Sequence, residues 1–145
     1  MARLNRSGDW AFRFAPSLDE LESLVYESFS QLPVQFQNLC RDLTIRIVDF
    51  PSEPIMDDMG LESPFELLGL FEGKGLGSRF SMIPETKNNL LILFRRPILD
   101  YWSENEETLG DIIAHILVHE IGHHFGLSED MLDSIDEERA SPKFY

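Results

Sequence analysis

The stretch His115–His124, HILVHEIGHH, holds all four histidines of this 145-residue chain. Inside it, His119-Glu120-Ile121-Gly122-His123 forms an H-E-x-x-H string. Two imidazoles four residues apart stand one turn apart on the same helix face, so both can reach one metal ion. Glu120 projects beside the pair, where a carboxylate can take a proton from a water held by the metal. That is the minimal machinery of a zinc hydrolase. By composition alone, three such fixed positions coincide on the order of once in ten thousand to a hundred thousand starts.

The surroundings support a helix. Leu109, Ile112, Ile113, Ile116, Leu117 and Ile121 recur at helical spacing, and Gly126 stands where a C-terminal stop belongs. Ser103 and Glu106 have capping-box spacing ahead of the apolar run. A catalytic zinc takes three protein ligands and leaves one position open. His119 and His123 supply two. Gly126 can turn the chain back through a left-handed conformation, which brings Glu129 forward as the third ligand, with Asp130 as the alternative and Asp133 behind it. Glu120 is the general base. His115 lies one turn before His119, with Asp111 one turn earlier again; the two suit a surface i, i+4 pair more than an outer contact to the site. His124, rotated by about 100° from His123, suits packing or an outer contact more than ligation. Arg95 and Arg96 are candidates to stabilise an oxyanion, in competition with ion pairs to the acidic surroundings.

The formal charge of −14 is concentrated: twelve acids and no Lys or Arg lie between Asp100 and Glu138. A field of that sign repels phosphate backbones and attracts cations, so nucleic acid is excluded as a partner and a divalent metal or a basic peptide is favoured. The length fits one domain with a real core. Cys40 has no intramolecular partner and reads as a small buried hydrophobe. No apolar stretch approaches a membrane span, and the N-terminus has no continuous apolar segment of signal-peptide type. A cytoplasmic monomer without membrane contact is the expectation.

Working back toward the N-terminus, Asn89–Arg95 (NLLILFR) is the strongest strand, ended by Pro97, and is the candidate edge for an added substrate strand. Leu43–Phe50 reads as a second strand, and Glu66–Phe71 as a third. Gly73–Gly77 suits a hairpin loop, with a return strand at Arg79–Ile83. Pro51–Pro64 reads as a polar connection. Ser17 and Glu20 make a capping box before a helix whose apolar stripe is Leu18, Leu21, Leu24, Val25 and Phe29, ending near Leu32-Pro33. A short helical piece, Val34–Cys40, follows. Ser128 caps a last helix running through Glu138. Residues 1–16 are read as an arm in which Trp10, Phe12 and Phe14 alternate and can dock as a strand; 17–138 form the domain and 139–145 the tail.

His119–Asp130 (HEIGHHFGLSED) resembles the small bacterial zincin-like metallopeptidases, or minimal zincins, whose pattern is H-E-x-x-H-x-x-G-x-x-D. Leu67–Gly73 (LLGLFEG) and Leu93–Leu99 (LFRRPIL) are similar to that family as well, and the resemblance spans roughly Ser17 to Asp136. It implies an α+β fold in which the motif helix and an N-terminal helix pack on a small mixed sheet. It also implies one zinc ion per chain on His119, His123 and position 129, with Glu120 as base and a peptide or protein as substrate. Position 129 departs from the pattern, being Glu rather than Asp. The alternative is a catalytically weak or inactive module that binds a metal or a protein partner through its acidic face.

Overall fold

The computed structural model describes residues 7–72 and 89–140. Their fold is α+β, organised around β3 (Asn89–Phe94). Five of its six residues are apolar and buried, the pattern of a strand covered on both faces. β1 (Leu43–Val48) pairs with it in parallel, Leu43 opposite Asn89 and Val48 opposite Phe94. β2 (Gly69–Glu72) pairs on the other side, antiparallel, with Gly69 opposite Leu93. The order is β1-β3-β2. Asn89–Arg95 is therefore the central strand and not the edge expected from its sequence; β1 and β2 flank it. An uninterrupted apolar run records burial on both faces of a strand, and not which strands lie beside it.

Alternation along β3 sorts its side chains. Leu91 and Leu93 join the main core, with Leu21 and Val25 of α2 (Leu18–Ser30), Ile113, Leu117 and Ile121 of α6 (Leu109–His124), and Leu132 of α7 (Glu129–Ala140). Leu90, Ile92 and Phe94 face a smaller cluster closed by Ile55. Ser17 caps α2 as its spacing predicts: its hydroxyl accepts from the Glu20 backbone N–H at 3.1 Å, and the Glu20 carboxylate accepts from the Ser17 N–H at 2.9 Å. The short helix α3 (Val34–Asn38) follows after Leu32-Pro33.

Several local expectations are corrected. The stretch Pro51–Pro64 contains a helix, α4 (Glu53–Met59), capped by Ser52 and stopped by Gly60 in the left-handed conformation, φ 67°. Pro54 and the acids suggested a loop, but proline in a first helical turn lacks only an N–H that has no intrahelical partner. The same principle explains a second helix, α5 (Arg95–Glu104), in which Pro97 is the third residue. Ser103 lies inside α5, where its hydroxyl donates to the Asp100 carbonyl at 2.8 Å. The cap of α6 is Thr108, whose Oγ1 accepts from the Asp111 N–H at 3.0 Å. β2 begins three residues later than Glu66, because Pro64–Glu66 form a 3-10 turn capped by Ser63. The described part of the arm holds one helical turn, α1 (Ser7–Trp10), and Phe12 and Phe14 are exposed and belong to no strand. The hairpin loop at Gly73–Gly77 and the strand at Arg79–Ile83 fall outside the described residues.

Cys40 is buried, and burial pushes its thiol up to about 11, so it is an inert core side chain at neutral pH. Among the described residues, no helix is long and apolar enough to cross a membrane.

Candidate metal centre

The motif helix and its successor form a helical hairpin, and two glycines set its geometry. α6 ends in a double bond pattern: the Gly126 N–H donates to the His123 carbonyl at 3.1 Å and the Leu127 N–H to the Gly122 carbonyl at 2.9 Å. Gly126 adopts φ 77°, which a residue with a Cβ reaches only at a cost. Ser128 then starts α7, its hydroxyl accepting from the Met131 N–H at 3.2 Å. Inside the motif, Gly122 lets α7 close in: a Cβ there would stand 2.3 Å from Leu132 Cδ2. Gly126→Ala is therefore expected to destabilise the fold by about 1–2 kcal/mol and to weaken metal uptake as α7 loses its entry angle. Thermal unfolding and metal titration of the variant check both effects.

That hairpin places acids of α7 opposite histidines of α6. Glu129 and Asp136 are seven residues apart, two turns along one helix face. His115, His119 and His123 rise along α6 one turn at a time. At the turn end, His123 Nε2 stands 2.6 Å from Glu129 Oε2. Further along, Asp136 Oδ2 stands 3.0 Å from His119 Nε2 and 3.0 Å from His115 Nδ1. The rings of His115 and His119 are stacked, centroids 4.0 Å apart. Two sets of potential ligand atoms therefore converge: His119, His123 and Glu129, and His115, His119 and Asp136, each within 4.8 Å. The longer carboxylate at position 129 does reach the histidines. Asp130 and Asp133 are exposed and belong to neither set.

Glu120 sits beside the histidine row and reaches toward β2, within electrostatic range of His123 and His119. Its carboxylate accepts a hydrogen bond from the Phe71 backbone N–H. Burial raises its pKa above the usual glutamate value, partly offset by His123, by the Phe71 N–H and by His119. β2 approaches closely because Gly69 has no side chain: a Cβ there would meet Ile116 Cγ2 at 3.0 Å and Glu120 Cγ at 3.9 Å. His124 packs its ring on Phe71, centroids 4.2 Å apart, and burial lowers its pKa. It is thus a wall of the site and stands in neither ligand set.

Arg95 lies at the start of α5 and is engaged elsewhere. Its Nη1 donates to Asp49 Oδ1 at 3.1 Å and its Nε to the Pro16 carbonyl at 2.6 Å. Arg96 rests over the Phe50 ring at 5.5 Å. Both arginines tie the end of β3 to the end of β1, and the structure shows them as structural partners there. Asp136 was not among the candidates read from the sequence. Its signal was the i, i+7 spacing from Glu129, which becomes meaningful only once the hairpin is antiparallel.

Two imidazoles and one carboxylate, with room for a fourth ligand, are the donor set of a catalytic zinc site. Asp136 Oδ1 is buried without a hydrogen-bond partner, as expected of a carboxylate with coordination capacity in reserve. The residues present fit a divalent ion of the zinc type. The family model for zincin-like metallopeptidases matches residues 40–139, which runs from the turn before β1 into α7. The chain belongs to the zincin-like metallopeptidase family. A comparison with curated proteins gives no match. Membership in the zincin-like family agrees with the α+β sheet-and-helix arrangement and carries the expectation of a bound metal. The matched span includes both helices of the hairpin up to Arg139, and so both ligand sets.

Proposed function

We propose that this zincin-like chain is a zinc-dependent peptidase whose ion is held by His119, His123 and Glu129. The observation that carries this reading is the convergence of those three residues within 4.8 Å, one residue away from a half-buried glutamate on the motif helix. Zinc, when bound, supplies a Lewis acid for the scissile carbonyl and lowers the pKa of a coordinated water to about 7. Glu120 accepts the proton of the attacking water and delivers it to the leaving amine. Its half-buried position keeps that proton within the site.

The substrate is a peptide in extended conformation, laid along the side of β2 that faces away from β3. That side is where the Phe71 N–H meets Glu120, so an added strand would bring its carbonyls to the catalytic residues. Gly69 leaves the strand close to α6, and His124 and Phe71 wall the site. The acidic α6–α7 region favours basic residues in the peptide.

Zinc titration at neutral pH, read by elemental analysis after gel filtration, is expected to give one ion per chain. The loaded protein is expected to cleave members of a basic-biased peptide library. Failure to take up stoichiometric zinc, or loading without any cleavage across the library, overturns the peptidase reading.

A further inference from the structure

We infer that His115, His119 and Asp136 form a second divalent-cation position, separate from the one on His123 and Glu129 and exclusive of it. The two positions share the His119 ring. A neutral imidazole offers a lone pair on one nitrogen at a time, so His119 serves one ion at a time. The chain therefore holds a single ion that divides between two places.

Three observations point to this position. Asp136 Oδ2 stands 3.0 Å from both His115 Nδ1 and His119 Nε2. Ligand atoms about 2.0–2.1 Å from a tetrahedral zinc stand about 3.3 Å from one another, so each of those two contacts needs an expansion of only about 0.3 Å to receive it. The His123–Glu129 pair, at 2.6 Å, must open further. The stacked His115 and His119 rings direct nitrogens from successive turns at one carboxylate. Finally, Asp136 Oδ1 is buried and has no hydrogen-bond partner, so the same carboxylate has a second oxygen to offer.

Because the two positions compete for one ring, the ratio of their occupancies depends on their relative affinities and not on how much metal is present. Zinc at the second position takes His119 away from the peptidase set. Asp136 thereby limits the fraction of chains that is competent at saturating metal, and Asp136→Asn shifts the ion toward His123.

The test is a zinc titration of the histidine-¹⁵N-labelled full chain, following ring nitrogens by NMR. Movement of His115 Nδ1 with up to one equivalent of zinc is the expected result, alongside movement of His123. His123→Ala, with an unchanged far-UV spectrum, is expected to keep one zinc per chain, and the added Asp136→Asn to lose it by at least tenfold in affinity. Where His123→Ala does not fold, Glu129→Gln replaces it, since Glu129 is largely exposed. Zinc that moves His123 and leaves His115 unmoved overturns the second position and leaves the peptidase ligand set standing. Zinc that moves His115 and leaves His123 unmoved supports the second position and overturns that ligand set. No response at either ring overturns both.

Discussion

Glu120→Gln lowers kcat/KM for any cleaved peptide by roughly 10²- to 10⁴-fold, the usual contribution of a positioned general base, while zinc uptake stays at one ion per chain. Glutamine keeps the shape of the side chain and can face the Phe71 backbone, so the loss reports proton transfer and not folding. In the chain without an ion, burial raises the Glu120 pKa against the smaller opposing effects of His123, the Phe71 N–H and His119. A base is effective only when deprotonated, so kcat/KM falls on the acidic side as Glu120 takes up its proton, and any residual activity of the glutamine variant lacks that limb. In the metal-free chain the linkage has a definite sign. Folding raises this pKa, so the contribution of Glu120 to stability is fully present below the ordinary glutamate value. It is lost as pH rises through the raised value. Above that window Glu120→Gln is therefore at least as stable as the parent, and unfolding midpoints measured across pH for both proteins check it. A glutamine variant that retains parental turnover removes Glu120 from the mechanism.

Periodicity made the motif helix legible, as well as α2, α3, β1 and β3. In each of these, spacing and burial are the same fact: Leu21 and Val25 are buried because they recur on one face. The ends were less legible. Ser103 and Glu106 have the spacing of a cap, but Thr108 makes the bond, since a capping pattern records only sequence distance and α5 already occupies Ser103. α4 and α5 were obscured by prolines that read as breakers and act as first-turn residues. The position of β3 in the sheet was misjudged because edge and centre differ by what lies beside the strand, which no single segment encodes. The same holds for the site. His119, Glu120 and His123 are local and visible; Glu129 is visible through the turn at Gly126. Asp136 meets its histidines only across the packed hairpin, and that packing is tight at one pair of residues.

That pair is Gly122 and Leu132, and it carries the second large effect. Leu132 is fully buried, and its terminal methyl occupies the space over Gly122 that a Cβ would fill. Leu132→Ala empties this space and is expected to cost about 2–5 kcal/mol in unfolding free energy. Gly122→Ala acts in the opposite sense. It gains up to about 1 kcal/mol of helix propensity but forces the end of a buried leucine side chain to shift, at about 1–3 kcal/mol, for a net loss. Combined, the two changes repair each other in part, because the new methyl enters the volume that the leucine leaves. The double variant is therefore expected to be less destabilised than the two single effects added together, with a coupling of about 0.5–3 kcal/mol as found for residues in direct contact. Denaturant unfolding of the four proteins measures it, and strict additivity would remove Leu132 from contact with the motif helix. The functional side of the same cycle is zinc affinity: each single change shifts α7, which carries Glu129 and Asp136, relative to His119 and His123. Affinity is expected to fall in both singles and to recover in part in the double, so that stability and metal binding move together through one contact between a glycine of the motif and a leucine beyond it.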